Sequence, residues 1–149
     1  MNFELPFLPE RTISPRNNGL TMMMDKGLSW RQAENFVDSC AQFADIVKLG
    51  FGTSYLTNDF QRKLDIYHAA GLRCYLGGTL FEAFLIRGMF DDYRKLLDKY
   101  KIGMAEVSDG SIVLNHELKC KYIADLAKDF TVLSEVGSKE EGILISPNK

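Results

Sequence analysis

Five short apolar runs recur along the chain, each followed by small residues and then by a stretch with helical spacing. The first, Leu20-Thr-Met-Met-Met24, is a continuous apolar segment of the kind expected for a strand buried on both faces. The others are Asp45–Leu49, Arg73–Leu76, the stretch that opens at Gly103, and Thr131–Val136. Between them, Ser29 and Gln32 make a capping-box pattern at the head of an apolar stripe of Trp30, Ala33, Val37, Cys40, Ala41 and Ala44. Phe60, Leu64 and Tyr67 mark a second helix, which stops at Gly71. Thr79 and Glu82 repeat the capping-box pattern ahead of Leu80, Phe81, Phe84 and Leu85. Gly88 then interrupts, and Met89, Tyr93, Leu96, Leu97 and Tyr100 carry a further helix. The last helix is expected to start at Asn115 and to bury Leu118, Tyr122, Ile123, Leu126 and Ala127.

Strands alternating with helices imply a parallel sheet with right-handed crossovers, and the repeat has the length of one βα unit. The expected class is α/β, a (β/α) barrel of the TIM type, in which chemistry gathers at the C-terminal strand ends. A complete barrel has eight units and about 250 residues. The 149 residues hold about five units, so the chain reads as a single domain, 1–149, forming the N-terminal portion of such a barrel. Residues 1–18 read as an entry segment, and Ser146-Pro147 as the N-cap and N1 pair of one more helix. The unpaired edges of strands one and five are expected to make copies of this polypeptide associate.

A formal net charge of -2 offers no general attraction to nucleic acid or anionic membrane. Cys40, Cys74 and Cys120 are odd in number and lack C-x-x-C spacing, which argues against disulfides and structural zinc and for a reducing cytoplasm. The N-terminus does not read as a signal peptide, and no run approaches the roughly 20 apolar residues of a membrane helix.

The chemistry-bearing positions follow the strand ends: Asp25, Lys26, Lys48, Glu106, Ser108, Asp109, Glu135 and Lys139. In Gly103-Met-Ala-Glu-Val-Ser-Asp-Gly-Ser111, alternation points Glu106 and Ser108 the same way, and a carboxylate in a buried strand needs a partner. Lys48 lies opposite in phase to Val47 and Leu49, and if it faces the barrel interior its natural partners are Glu106 and Glu135. Carboxylates beside a hydroxyl make the oxygen environment that Mg²⁺ prefers, completed by water and substrate oxygens. The lysines suit an anionic substrate. Gly50-Phe-Gly-Thr-Ser54 and Gly77-Gly78-Thr79 offer backbone amides before helix starts, which suits phosphate or carboxylate. Glu82 reads equally as the capping partner of Thr79. Arg16, Asp45 and Arg73 lie at strand starts and read as structural, and His68 and His116 as surface or packing residues.

Together Gly19-Leu-Thr-Met-Met-Met-Asp-Lys-Gly27, Val47–Ser54, Gly77–Glu82, Glu106–Ser111 and Ser134-Glu-Val-Gly-Ser-Lys139 resemble the phosphosulfolactate synthase family, from about Arg16 to Lys139. The resemblance implies a lyase that adds sulfite to phosphoenolpyruvate with Mg²⁺, giving (2R)-3-phosphosulfolactate for coenzyme M or related sulfonates. It implies Lys139 as proton donor, with Lys48, Asp25 and Lys26 binding or orienting the anions. Gly77, Gly78 and Ser108 would contribute to substrate binding, and Glu106, Asp109 and Glu135 to the metal. Plant heat-stress-associated proteins are similar to the same family and supply the competing, non-catalytic reading.

Overall fold

The computed structural model describes residues 3 and 5–137. Five strands, β1 (Met22–Asp25), β2 (Ile46–Leu49), β3 (Arg73–Leu76), β4 (Met104–Val107) and β5 (Thr131–Ser134), form one sheet. All pairings are parallel and the strands lie side by side in chain order. With crossovers of one hand, an order that never reverses puts every helix on the same face, as in a barrel wall and unlike a doubly wound sheet. The chain therefore has the α/β architecture of consecutive βα units of TIM-barrel type.

The helices are α1 (Trp30–Cys40), α2 (Phe60–Ala69), α3 (Gly78–Leu85), α4 (Phe90–Lys99) and α5 (His116–Leu126), with short 3₁₀ turns at Ala41–Phe43 and Gly50–Tyr55. Their ends obey local chemistry. Ser29 and Gln32 form the expected capping box on α1, and Asn115 caps α5 by accepting from the amides of Glu117 and Leu118. Gly71, at φ 74, ends α2, and Gly88, at φ 67, separates α3 from α4. The capping box expected at Thr79 and Glu82 does not form. Gly77 is the N-cap of α3 without a side-chain bond, and Glu82 turns inward.

Strand alternation divides the sheet cleanly. On the helix side Val47, Leu49, Cys74, Leu76, Ala105 and Val107 pack with Leu64, Tyr67, Phe81, Tyr93, Leu97 and Leu126. Phe81 meets Tyr93 edge-on at 5.6 Å between centroids, a geometry worth about 1 kcal/mol beyond the area buried. On the inner side Ile46, Tyr75 and Met104 form a small cluster with Leu133. Two expectations shift. β1 is not buried on both faces: Met22 and Met24 are exposed on the inner side, while Met23 packs toward the helices. In α5 Tyr122, Ile123 and Leu126 turn inward as expected, but Leu118 and Ala127 are exposed and Lys119 is buried.

Candidate functional site

Lys48 and Glu106 meet on the inner face near the C-terminal strand ends. Their phases in β2 and β4 aim both away from the helix-side core, and Lys48 Nζ lies 2.8 Å from Glu106 Oε1. The second carboxylate oxygen accepts from the amide of Gly78 at 2.7 Å, so Glu106 also caps the start of α3 from the neighbouring strand. Tyr75 flanks the pair, with Lys48 Nζ 5.9 Å from its ring centre. Burial, and then the charges of Glu106 and Glu135, push the Tyr75 phenol above its usual range, so these two carboxylates act on the same ring. Glu135 follows Ser134, which pairs in register with the core residue Val107, and alternation puts Glu135 on the inner face.

The two glycines serve close approach. A Cβ on Gly78 would lie 2.4 Å from Ser108 Oγ, and one on Gly77 3.2 Å from the Leu49 carbonyl. Their amides already donate, Gly77 to the Leu49 carbonyl at 2.9 Å and Gly78 to Glu106. An anion would reach them only by displacing those acceptors. Ser108 is fully buried, and its hydroxyl donates to Glu82. Glu82 also accepts from the amides of Gly110 at 3.0 Å and Ser111 at 3.1 Å, which ties the loop after β4 to α3. Glu106 and Ser108, two apart at the end of β4, thus match Gly78 and Glu82, four apart on α3.

Asp25 and Asp109 are turned to the other side. Asp25 accepts from the amides of Gly27 (2.8 Å) and Leu28 (2.7 Å), from the Tyr67 hydroxyl (2.9 Å) and from Lys63 (2.5 Å), with no exposed surface. Burial, and then the Asp25 charge, raise the Tyr67 phenol well above its usual range and push the Cys74 thiol up to about 12. Asp109 pairs with Lys119 at 2.9 Å, and Lys119 also donates to the Glu135 carbonyl at 2.6 Å, joining the ends of β4 and β5. The structure therefore brings Lys48, Glu106, Ser108 and Glu135 to one face and sets Asp25 and Asp109 apart from them. Among the described residues, no three His, Cys, Asp or Glu side chains form a cluster fit to hold a metal ion. Lys26 is exposed beyond β1, 5.6 Å from the Phe51 ring centre. Lys139 lies outside the described residues.

The sequence reading passed over Lys63 and Lys119. Each sits in phase with an apolar stripe, Phe60-Lys63-Leu64-Tyr67 and Lys119-Tyr122-Ile123-Leu126. A lysine at such a position signals a buried cation in need of a carboxylate.

The family model described as (2R)-phospho-3-sulfolactate synthase (ComA) matches residues 9–149. A phosphosulfolactate synthase of Bacillus subtilis is 32% identical over 133 residues, covering 89% of this chain and 53% of that protein. One from Methanothermobacter thermautotrophicus is 34% identical over 89% of this chain and 52% of its own length. One from Methanocaldococcus jannaschii is 38% identical over 81% and 49%. The chain spans about half the length of these curated relatives. With the family match over nearly all of its residues, and the βα-barrel wall beneath it, the chain belongs to the phosphosulfolactate synthase family.

Proposed function

We propose that the protein carrying this chain adds sulfite to phosphoenolpyruvate, in the cytoplasm, to give (2R)-3-phosphosulfolactate. The observation that carries this reading is the Lys48–Glu106 pair on the inner face at the strand ends, in a chain of this family. The sulfur lone pair of sulfite bonds to C3, the double-bond electrons move toward C2 and the carboxylate, and C2 takes a proton. Lys48 supplies positive charge beside the anions, and Glu106, fixed by the Gly78 amide, holds that ammonium in place. Lys26 would draw the phosphate from the rim. The donor to C2 is assigned to Lys139, by its match to the family's lysine after the fifth strand.

Mg²⁺ would be held by Glu106 and Glu135, the inner-face carboxylates that both act on the Tyr75 ring, with each Glu106 oxygen keeping a lone pair beyond its bond to Lys48 or Gly78. This ion commonly takes one or two carboxylates and keeps waters and substrate oxygens for the rest. Asp109 does not fit that set, since it is paired with Lys119 behind the sheet. When bound, the metal would supply Lewis-acid stabilisation of charge on the substrate carboxylate. The test is incubation of the full-length protein with phosphoenolpyruvate and sulfite, with Mg²⁺ or with chelator, following product by mass spectrometry. Product should appear only when both substrates and the metal are present. No product under any condition would favour the non-catalytic, heat-stress-associated reading.

A further inference from the structure

At the opposite end of the sheet, His68, Arg73 and Lys101 line a cleft of about 330 Å³ with Leu72, Cys74 and Met104 among its other walls. The three basic residues come from the end of α2, the start of β3 and the turn before β4. No residue lining the cleft is acidic. The buried and half-buried cations have carboxylate partners: Arg16 with Asp45, Lys48 with Glu106, Lys63 with Asp25, Arg94 with Asp129 and Lys119 with Asp109. Arg73 and Lys101 stand exposed instead, on the rim of the cleft. Among the described residues neither has a side-chain hydrogen bond or ion pair, nor has His68.

The backbone adds an independent sign. Lys101 follows the end of α4 with φ 54, the left-handed position that glycine fills without strain. The equivalent position after α2 is a glycine, Gly71 at φ 74. Lys101 thus takes a backbone conformation that L side chains adopt only at a cost, and it lines the cation-rimmed cleft.

We propose that this cleft is a second anion site, taking a small phosphate-bearing molecule, separate from the strand-end site. The volume is at the lower end of small-molecule pockets, and Leu72, Cys74 and Met104 offer an apolar floor beneath the charged rim. Arg73 and Lys101 would bind the phosphate oxygens by charge-assisted hydrogen bonds.

The chain's two histidines allow a direct test. Inorganic phosphate is titrated into the full-length protein at fixed pH and ionic strength while the His68 and His116 ring resonances are followed by NMR. His68 should shift along a saturating curve and His116, on α5, should not. Lys101→Gly relieves the backbone strain while removing the cation, so loss of binding could not be ascribed to misfolding. It should weaken the His68 response about tenfold, as should Arg73→Gln, while Lys48→Ala should leave it unchanged. A linear, parallel drift of both histidines, or a Lys101→Gly variant that binds like the parent, would overturn the proposal.

Discussion

Gly78 illustrates how individual residues set the geometry of the strand ends. Alanine is the better helix former by about 1 kcal/mol, yet a Cβ here would sit 2.4 Å from Ser108 Oγ. Overpacking commonly costs about 1–3 kcal/mol, so the clash should win. Gly78→Ala is expected to lower the melting temperature and loosen the Ser108–Glu82 contact; a neutral or raised melting temperature would contradict this. Single residues were also where the sequence was hardest to read. Glu106 and Lys48 could be paired in advance because strand phase fixes their direction and a buried lysine demands a carboxylate. Glu82 could not, because its partners are the Ser108 hydroxyl and two backbone amides in a loop whose path no pattern reveals. Lys139 remains a chemical assignment with its own test. Lys139→Ala should lower kcat by about 10²-fold with little change in KM, as loss of a general acid does. Lys26→Ala should chiefly raise KM for phosphoenolpyruvate, and the reverse pattern would exchange their roles.

Elements were more legible than residues, because hydrophobic periodicity and glycine punctuation act over many positions. Their ends were not, since pairing partners set them. β1 starts at Met22 opposite Ile46 and leaves out Leu20, while Thr21 binds the Asp45 carboxylate through its amide and the amides of Asp45 and Ile46 through its carbonyl. β5 stops at Ser134, level with the end of β4 at Val107, and does not continue to Val136. Arg16 fastens the entry segment to this end of the sheet through Asp45 at 2.8 Å and the carbonyls of Thr12 and Gln42. Burial would raise the Asp45 carboxyl, but the Thr21 amide and the Arg16 guanidinium outweigh it and hold the group below the usual range. A carboxylate with a lowered folded pKa stabilises the fold above its unfolded value, about 3.9, and that contribution is lost as pH falls through the folded value. The melting-temperature gap between the parent and Asp45→Asn should therefore be largest near neutrality and shrink below about pH 4. A gap that widens in acid would show that Asp45 is not held ionised by these partners.

For the whole molecule, the division of the sheet into two faces explains more than any motif. The helix side carries the core and the buried pairs of Asp25 with Lys63 and Asp109 with Lys119, and the inner side gathers Lys48, Glu106, Ser108 and Glu135. The sequence supplied the list of strand-end charges without their sorting, because Asp25 and Asp109 find their lysines within the apolar stripes of helices, Lys63 on α2 and Lys119 on α5, the helix that follows β4. Among the described residues β1 pairs only with β2 and β5 only with β4, and Leu20, Met22 and Met24 are exposed. The 149-residue polypeptide expressed by itself should accordingly self-associate as its concentration rises, and light scattering after size exclusion would read this directly. A concentration-independent monomer would show that five units form a closed surface of their own. The most direct test of the two-face account is steady-state kinetics of sulfite addition by full-length Lys48→Ala, its folding checked by circular dichroism. Removing a charge that stabilises the reacting anions should lower kcat/KM by about 10²-fold or more. A folded Lys48→Ala protein with parental kcat/KM would place the chemistry elsewhere and contradict the account.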